Sequence, residues 1–296
     1  VTRARYALST ALLVAATARA APVALTFEQA VYQDDRDAPL LGPEGIACGD
    51  SGAVVVADTG NARLLRFSSA DGRLSGGREV KLPQLTVPTR VELDRAGGAL
   101  VLDAKSRRIV RVAANGSYAG TVEPKGLPGS STVNPGSFKV DADDNVWVLD
   151  VAGRRVLVVS PGGNVTRQLP LPRPGEFMDI ALDPAGSVYA VDAVAAALWV
   201  ARPGATAFAP LVKGMKDRMS FPTHMLVRKG KIYLVDEHGN GIAVLGIDGS
   251  FQGRALATGW GNGLVYYPSQ ICVTAGGDVL VADRYNNRVQ QFREMQ

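Results

Sequence analysis

Histidine and cysteine are nearly missing from this 296-residue chain, which has two of each. A disulfide-built scaffold or a cysteine-rich zinc site needs more thiols than Cys48 and Cys272 can supply. A centre made of several imidazoles is equally out of reach, because His224 and His238 are the whole stock. Aromatic residues make up 6% of the chain, so a local group such as Trp260, Tyr266 and Tyr267 stands out. Phosphate loop, dinucleotide fingerprint, haem-attachment motif and calcium loop are all absent, so no motif implies a cofactor. No serine or cysteine carries the flanking pattern of an enzyme nucleophile.

Long apolar runs are missing too. The run YALSTALLVAA (6 to 16) is eleven residues long, short of the roughly 20 that a membrane-crossing helix needs. Arg3 and Arg5 precede it and Ala18-Arg19-Ala20 follows it, the layout of a secretory signal peptide with an A-x-A cleavage site. No cysteine follows the run to carry a lipoprotein anchor. The expected product is a single domain of residues 21 to 296, an exported monomer in the periplasm or outside the cell, with no membrane span. Cleavage removes three arginines and no acid, leaving 29 basic against 28 acidic residues, so the net charge falls from +4 to +1. A mature chain so balanced gives no argument for nucleic-acid binding, which would need a basic face, and no nucleic-acid partner is expected.

What the chain does contain is a phrase repeated six times: VVVADTGNARLLRF (54 to 67), ALVLDAKSRRIVRV (99 to 112), VWVLDVAGRRVLVV (146 to 159), VYAVDAVAAALWVA (188 to 201), IYLVDEHGNGIAVL (232 to 245) and VLVADRYNNRVQQF (279 to 292). Its fixed aspartates, Asp58, Asp103, Asp150, Asp192, Asp236 and Asp283, stand 42 to 47 residues apart. Two apolar runs around a short polar turn predict a β-hairpin. A shorter apolar run upstream of each hairpin adds an inner strand, and a more variable run downstream adds a fourth. Four strands at this period predict an all-β fold, a six-bladed β-propeller of antiparallel blades. The last repeat stops at Gln296, too soon for an outer strand, and ALTFEQAVY (24 to 32) has no hairpin of its own. That N-terminal strand is expected to complete the sixth blade and remove an open edge.

Residues 43 to 67 and 268 to 292 each carry an inner strand, a Gly-containing turn, a strand ending in Ala-Asp, an Asn-containing turn leading to Arg, and a strand ending in Phe. In this the chain resembles the NHL-repeat family of six-bladed propellers. The resemblance implies the fold but no single activity, because propellers host unrelated functions.

Cys48 and Cys272 fall in the inner strands of the first and last blades, which adjoin in a closed ring. Export permits a disulfide, yet sheets packed about 10 Å apart exceed the usual reach of one, so two buried thiols are expected.

Five residues after four of the aspartates stands an arginine, giving the pairs Asp58 and Arg63, Asp103 and Arg108, Asp150 and Arg155, and Asp283 and Arg288. These are read as structural locks on each hairpin. Function is sought where the repeat breaks. Aligned inner strands place Gly45, Arg90, Ser137, Asp179, His224 and Gln270 at equivalent positions, a polar ring at the channel rim with Arg90 opposite His224 and Asp179 beside it. Around the same mouth, Glu237 and His238 replace the usual turn of the fifth blade, and Trp260, Tyr266 and Tyr267 lie in a glycine-rich connection. Asp141, Asp143, Asp144 and Asn145 are read as a solvated turn rather than a calcium site.

Two functions are weighed. The favoured one is a non-catalytic binding or scaffold protein holding a protein partner or small ligand at this loop face. The alternative is a metal-dependent lyase or hydrolase similar to the peptide-amidating lyase or to gluconolactonase-type propellers. There His224 is the ligand or base, Asp179 a ligand or orienting carboxylate, and Arg90 the group that stabilises developing negative charge.

Overall fold

In the computed structural model, residues 23–128 and 132–295 are described; the expected signal peptide lies outside them. The described residues form six four-stranded antiparallel sheets. The inner strands of blades one to six are Gly45–Cys48, Pro88–Leu93, Pro135–Val140, Phe177–Leu182, Pro222–Arg228 and Pro268–Val273. In the sixth blade the outer strand is Ala24–Val31, paired with Arg288–Met295 in the order predicted from the sequence. Register runs from Ala24 opposite Met295 to Val31 opposite Val289.

Each middle strand is apolar on both faces because each blade is covered on both sides. Six buried clusters result, one at each junction between neighbouring blades. At the junction of blades one and six, Ile46, Val56, Leu65 and Phe67 pack against Leu280, Ala282 and Val289. The strands Ala99–Asp103, Val146–Asp150, Val188–Asp192 and Val279–Asp283 are buried at every position. That is why they read as continuous apolar runs rather than as alternating ones.

In five blades the repeated aspartate ties the connection leading into the blade to that blade's own hairpin, whereas Asp192 of blade four accepts from Ala195 N in its own turn. Leu41 N, Val87 N, Asn134 N, Phe221 N and Tyr266 N donate to Asp58, Asp103, Asp150, Asp236 and Asp283. Three of the four expected arginine pairs form, at 2.7 Å for Arg63 with Asp58, 3.0 Å for Arg155 with Asp150 and 2.7 Å for Arg288 with Asp283. The fourth differs: Arg108 is exposed and forms no such pair, while Thr86 N, Val87 N and Ser106 N satisfy Asp103. Blade five, which has Gly241 at the arginine position, recruits Arg254 from its outer strand to Asp236 at 2.6 Å. A Cβ on Gly241 would sit 2.9 Å from that guanidinium, so the glycine makes the room.

The expectation of two thiols is corrected. Cys48 and Cys272 form a disulfide with Cα atoms 5.5 Å apart. The 10 Å spacing holds for sheets packed face to face, whereas inner strands converge on the axis and bring the two sulfurs together. The bridge is compatible with an oxidising compartment. Among the described residues no helix is long and apolar enough to cross a membrane.

The disulfide spans 224 residues, and cross-linking so long a loop should stabilise the fold by about 2 to 5 kcal/mol. Intact mass should rise by two hydrogens on reduction, and denaturant unfolding should move to lower midpoint by that free energy. An unchanged mass would show that no bridge forms.

Candidate functional site

Period-two alternation sends every second side chain of an inner strand toward the axis, so the ring read from the sequence is brought together. Its members, however, satisfy one another instead of facing an open channel. Asp179 is the hub. It accepts a short hydrogen bond from Ser137 Oγ and one of 2.7 Å from Met225 N, while His224 Nδ1 lies 2.8 Å from its Oδ2, poorly aligned for donation. Lys139 Nζ stands 3.8 Å from the same oxygen. Arg90 crosses the channel and donates to the carbonyls of Thr223 at 2.9 Å and Ser269 at 3.4 Å. Gln270 Nε2 donates to Val91 O at 3.0 Å. Blade one contributes Gly45, where a Cβ would come within 3.0 Å of Val91 and 3.1 Å of the Thr89 carbonyl.

Ser137, Asp179 and His224 touch in sequence, but not as a nucleophile with its base. The serine hydroxyl donates its hydrogen bond to the carboxylate, and His224 Nε2 is used on Ile271 O at 3.2 Å. Nor does the ring fit a metal ion, because Lys139 and Arg90 already bring positive charge to the only carboxylate in it. Among the described residues no three His, Cys, Asp or Glu side chains converge at ligand range. Asp141 is occupied by its own turn, accepting from Asp143 N, Asn145 N and Trp147 Nε1.

Burial pushes the Asp179 carboxyl upward, and the charge of Lys139 with the contacts of His224 overrides it, holding the group well below the usual range. For His224, burial and the nearby Lys139 charge outweigh the pull of Asp179 and lower the imidazole to about 4.

A second group forms on the loop face of blades five and six. Phe221 stacks on His238 at 4.7 Å, His238 meets the edge of Tyr267 at 5.9 Å, and Tyr267 lies 4.8 Å from Tyr285. Tyr266 links Tyr285 at 5.8 Å to Trp260 at 5.9 Å. Trp260 is 76% exposed and Tyr285 51%. Arg284 lies over the Tyr285 ring at 5.1 Å and reaches Glu44 at 3.3 Å and Glu237 at 3.5 Å. Burial lifts the Glu44 carboxyl above its usual range despite Arg284 and Arg90.

Sequence reading therefore found both groups but took the ring for an open rim, where its members bond mostly to one another and to backbone. It missed Glu92 and Lys139, which follow Arg90 and Ser137 by two residues and so share their direction. It also missed Phe221, Arg284 and Tyr285. The signal for the last two was an Arg-Tyr pair standing where the first blade's turn has Thr-Gly.

The NHL repeat profile matches residues 40–67 and 265–292, the first and last blades. No curated protein matches the sequence significantly. Among solved structures, virginiamycin B lyase from Staphylococcus aureus is 15% identical with a TM-score of 0.63, over 90% of this chain and 99% of that one. A gluconolactonase from Xanthomonas campestris is 14% identical with a TM-score of 0.67, over 94% and 99%. The PQQ-bound aldose sugar dehydrogenase from Streptomyces coelicolor is 14% identical with a TM-score of 0.63, over 93% and 100%. At such identities the likeness shows the fold alone, and the three names span three chemistries.

A lowered His224 has a pH consequence with a definite sign. Between its ordinary value near 6.5 and about 4, the unfolded chain binds a proton that the native chain refuses, so stability falls as pH drops through that window, by about 3 kcal/mol in all. Below it, the lowered Asp179 extends the loss, since the unfolded carboxyl is protonated first. His224→Gln should flatten the upper part of this slope in unfolding measured at several pH values. Titration of the His224 ring above 6.5 by NMR would show instead that its two oxygen neighbours hold it as imidazolium.

Proposed function

We propose that this chain, an NHL-repeat six-bladed propeller, is an exported binding protein that holds a protein partner on the loop face of blades five and six. The observation that carries this reading is the contiguous surface of Trp260, Tyr266, Tyr285 and Arg284. Tryptophan, tyrosine and arginine are the side chains that most often dominate the energy of protein interfaces. Here they are clustered although the chain is poor in aromatics overall, and Trp260 projects from a connection with glycine on either side. Contacts between the rings and the Arg284 pairs to Glu44 and Glu237 hold the surface in shape before binding, which lowers the ordering cost of association. A rigid β-scaffold carrying its recognition groups on connections suits this role.

The signal-like N-terminal segment and the disulfide both support export. Catalysis at the channel rim gains no support from the ring, whose hydroxyl is spent on its carboxylate and whose imidazole Nε2 is spent on backbone. The lyase, lactonase and dehydrogenase with the same fold do not choose among chemistries for this chain.

A photo-crosslinking residue installed in place of Trp260 should capture one discrete protein in the cells that make the propeller, and the same residue in place of Val151 on blade three should capture none. With the captured partner purified, Tyr285→Ala or Arg284→Ala should weaken binding by about thirty-fold or more. Absence of a discrete adduct, or equal capture from Val151, would overturn the reading.

A further inference from the structure

The axis has a second mouth, on the face where inner strands end and turn back. A cavity of about 480 Å³ opens there, within the size range of small-molecule sites. Its walls are unlike. On one side Glu92 and Lys139 form an ion pair of 2.7 Å. On the other stand Leu226 and the Cys48–Cys272 disulfide, both apolar. Gln270 lines the cavity as well, with its amide already spent on the Val91 backbone.

The charged pair keeps unused capacity. Lys139 is buried, and its ammonium has three donors, of which Glu92 takes one, while Asp179 at 3.8 Å is within ion-pair range but too far for a hydrogen bond. Only one oxygen of Glu92 is engaged among the described residues. By contrast the acids at the cavity mouth are committed to their own turns: Asp94 accepts from Gly98 N at 2.7 Å, and Asp141 accepts from several donors. Inside the cavity the paired charges are Lys139 and Glu92, and at its mouth Arg228 pairs with Asp50 at 2.9 Å while Arg95 stands among Asp94 and Asp141. A ligand carrying net charge of either sign would leave one buried charge uncompensated, which is costly.

We infer that this cavity binds a small zwitterion with an aliphatic tail, an aliphatic α-amino acid. Its carboxylate meets the free donor of Lys139, its ammonium meets the free oxygen of Glu92, and its side chain lies against Leu226 and the disulfide. The site is on the face opposite the aromatic surface, and neither assignment depends on the other.

Calorimetric titration of the mature, oxidised protein with L-leucine tests this. Saturable binding is expected, and 4-methylpentanoate and leucinamide, which each lack one charge, should bind at least about tenfold more weakly. Lys139→Met and Glu92→Gln should each cost about tenfold or more. Leu226→Trp, which fills the cavity from its apolar side without touching the ion pair, should abolish binding while far-ultraviolet circular dichroism stays that of the parent. No saturable heat up to about 10 mM L-leucine, equal binding of the two singly charged analogues, or undiminished binding to Leu226→Trp would each overturn the inference.

Discussion

A blade of this protein is apolar on both faces, and only another blade can cover it. Every middle strand is buried between two neighbours, so no blade is stable at the end of a row. Covering all six at once requires the ring to close. Closure at the junction of blades six and one is correspondingly reinforced. The outer strand of blade six comes from the far end of the chain, Cys48 is bridged to Cys272 across the inner strands, and Arg63 of blade one reaches Asp34, just beyond the closing strand, at 2.6 Å.

Once the ring is closed, six inner strands crowd the axis and their polar side chains must find partners there. The protein meets this demand internally near the loop face, where Asp179 collects donors from blades three and five and Arg90 and Gln270 span the channel to backbone groups. A buried polar network in which most groups are engaged favours rigidity, with His224 Nδ1 left without a hydrogen bond. Farther along the same axis the engagement is incomplete, and Glu92 and Lys139 face open volume. The two faces of the disc thus differ, with an exposed aromatic surface on one and a small two-sided cavity on the other.

Most of the fold was legible in the sequence because it repeats: six aspartates at near-constant spacing set blade number, hairpin position and the closing strand. The ring at the axis was legible for the same reason, since aligned inner strands put Arg90, Ser137, Asp179, His224 and Gln270 at one level. What they do there was not, because whether a polar side chain faces solvent or its neighbour depends on how closely blades approach, and that is set by distant features such as Gly45. The disulfide was misjudged on that account as well. Arg254 shows a further limit: the partner of Asp236 comes from a strand with no fixed position in the repeat. Phe221 and Tyr285 belong to different blades, and nothing local in the chain says that they share a surface.

The pairing of Ala24–Val31 with Arg288–Met295 has a consequence for the order of events when the chain is made. Ala24–Val31 has no partner until residues 288–295 have been synthesised. Until then it is an open edge carrying unpaired backbone groups, and the contact that seals the ring is among the longest-range in the molecule. The closed ring is therefore acquired in one late step, when Arg288–Met295 meets Ala24–Val31, rather than blade by blade.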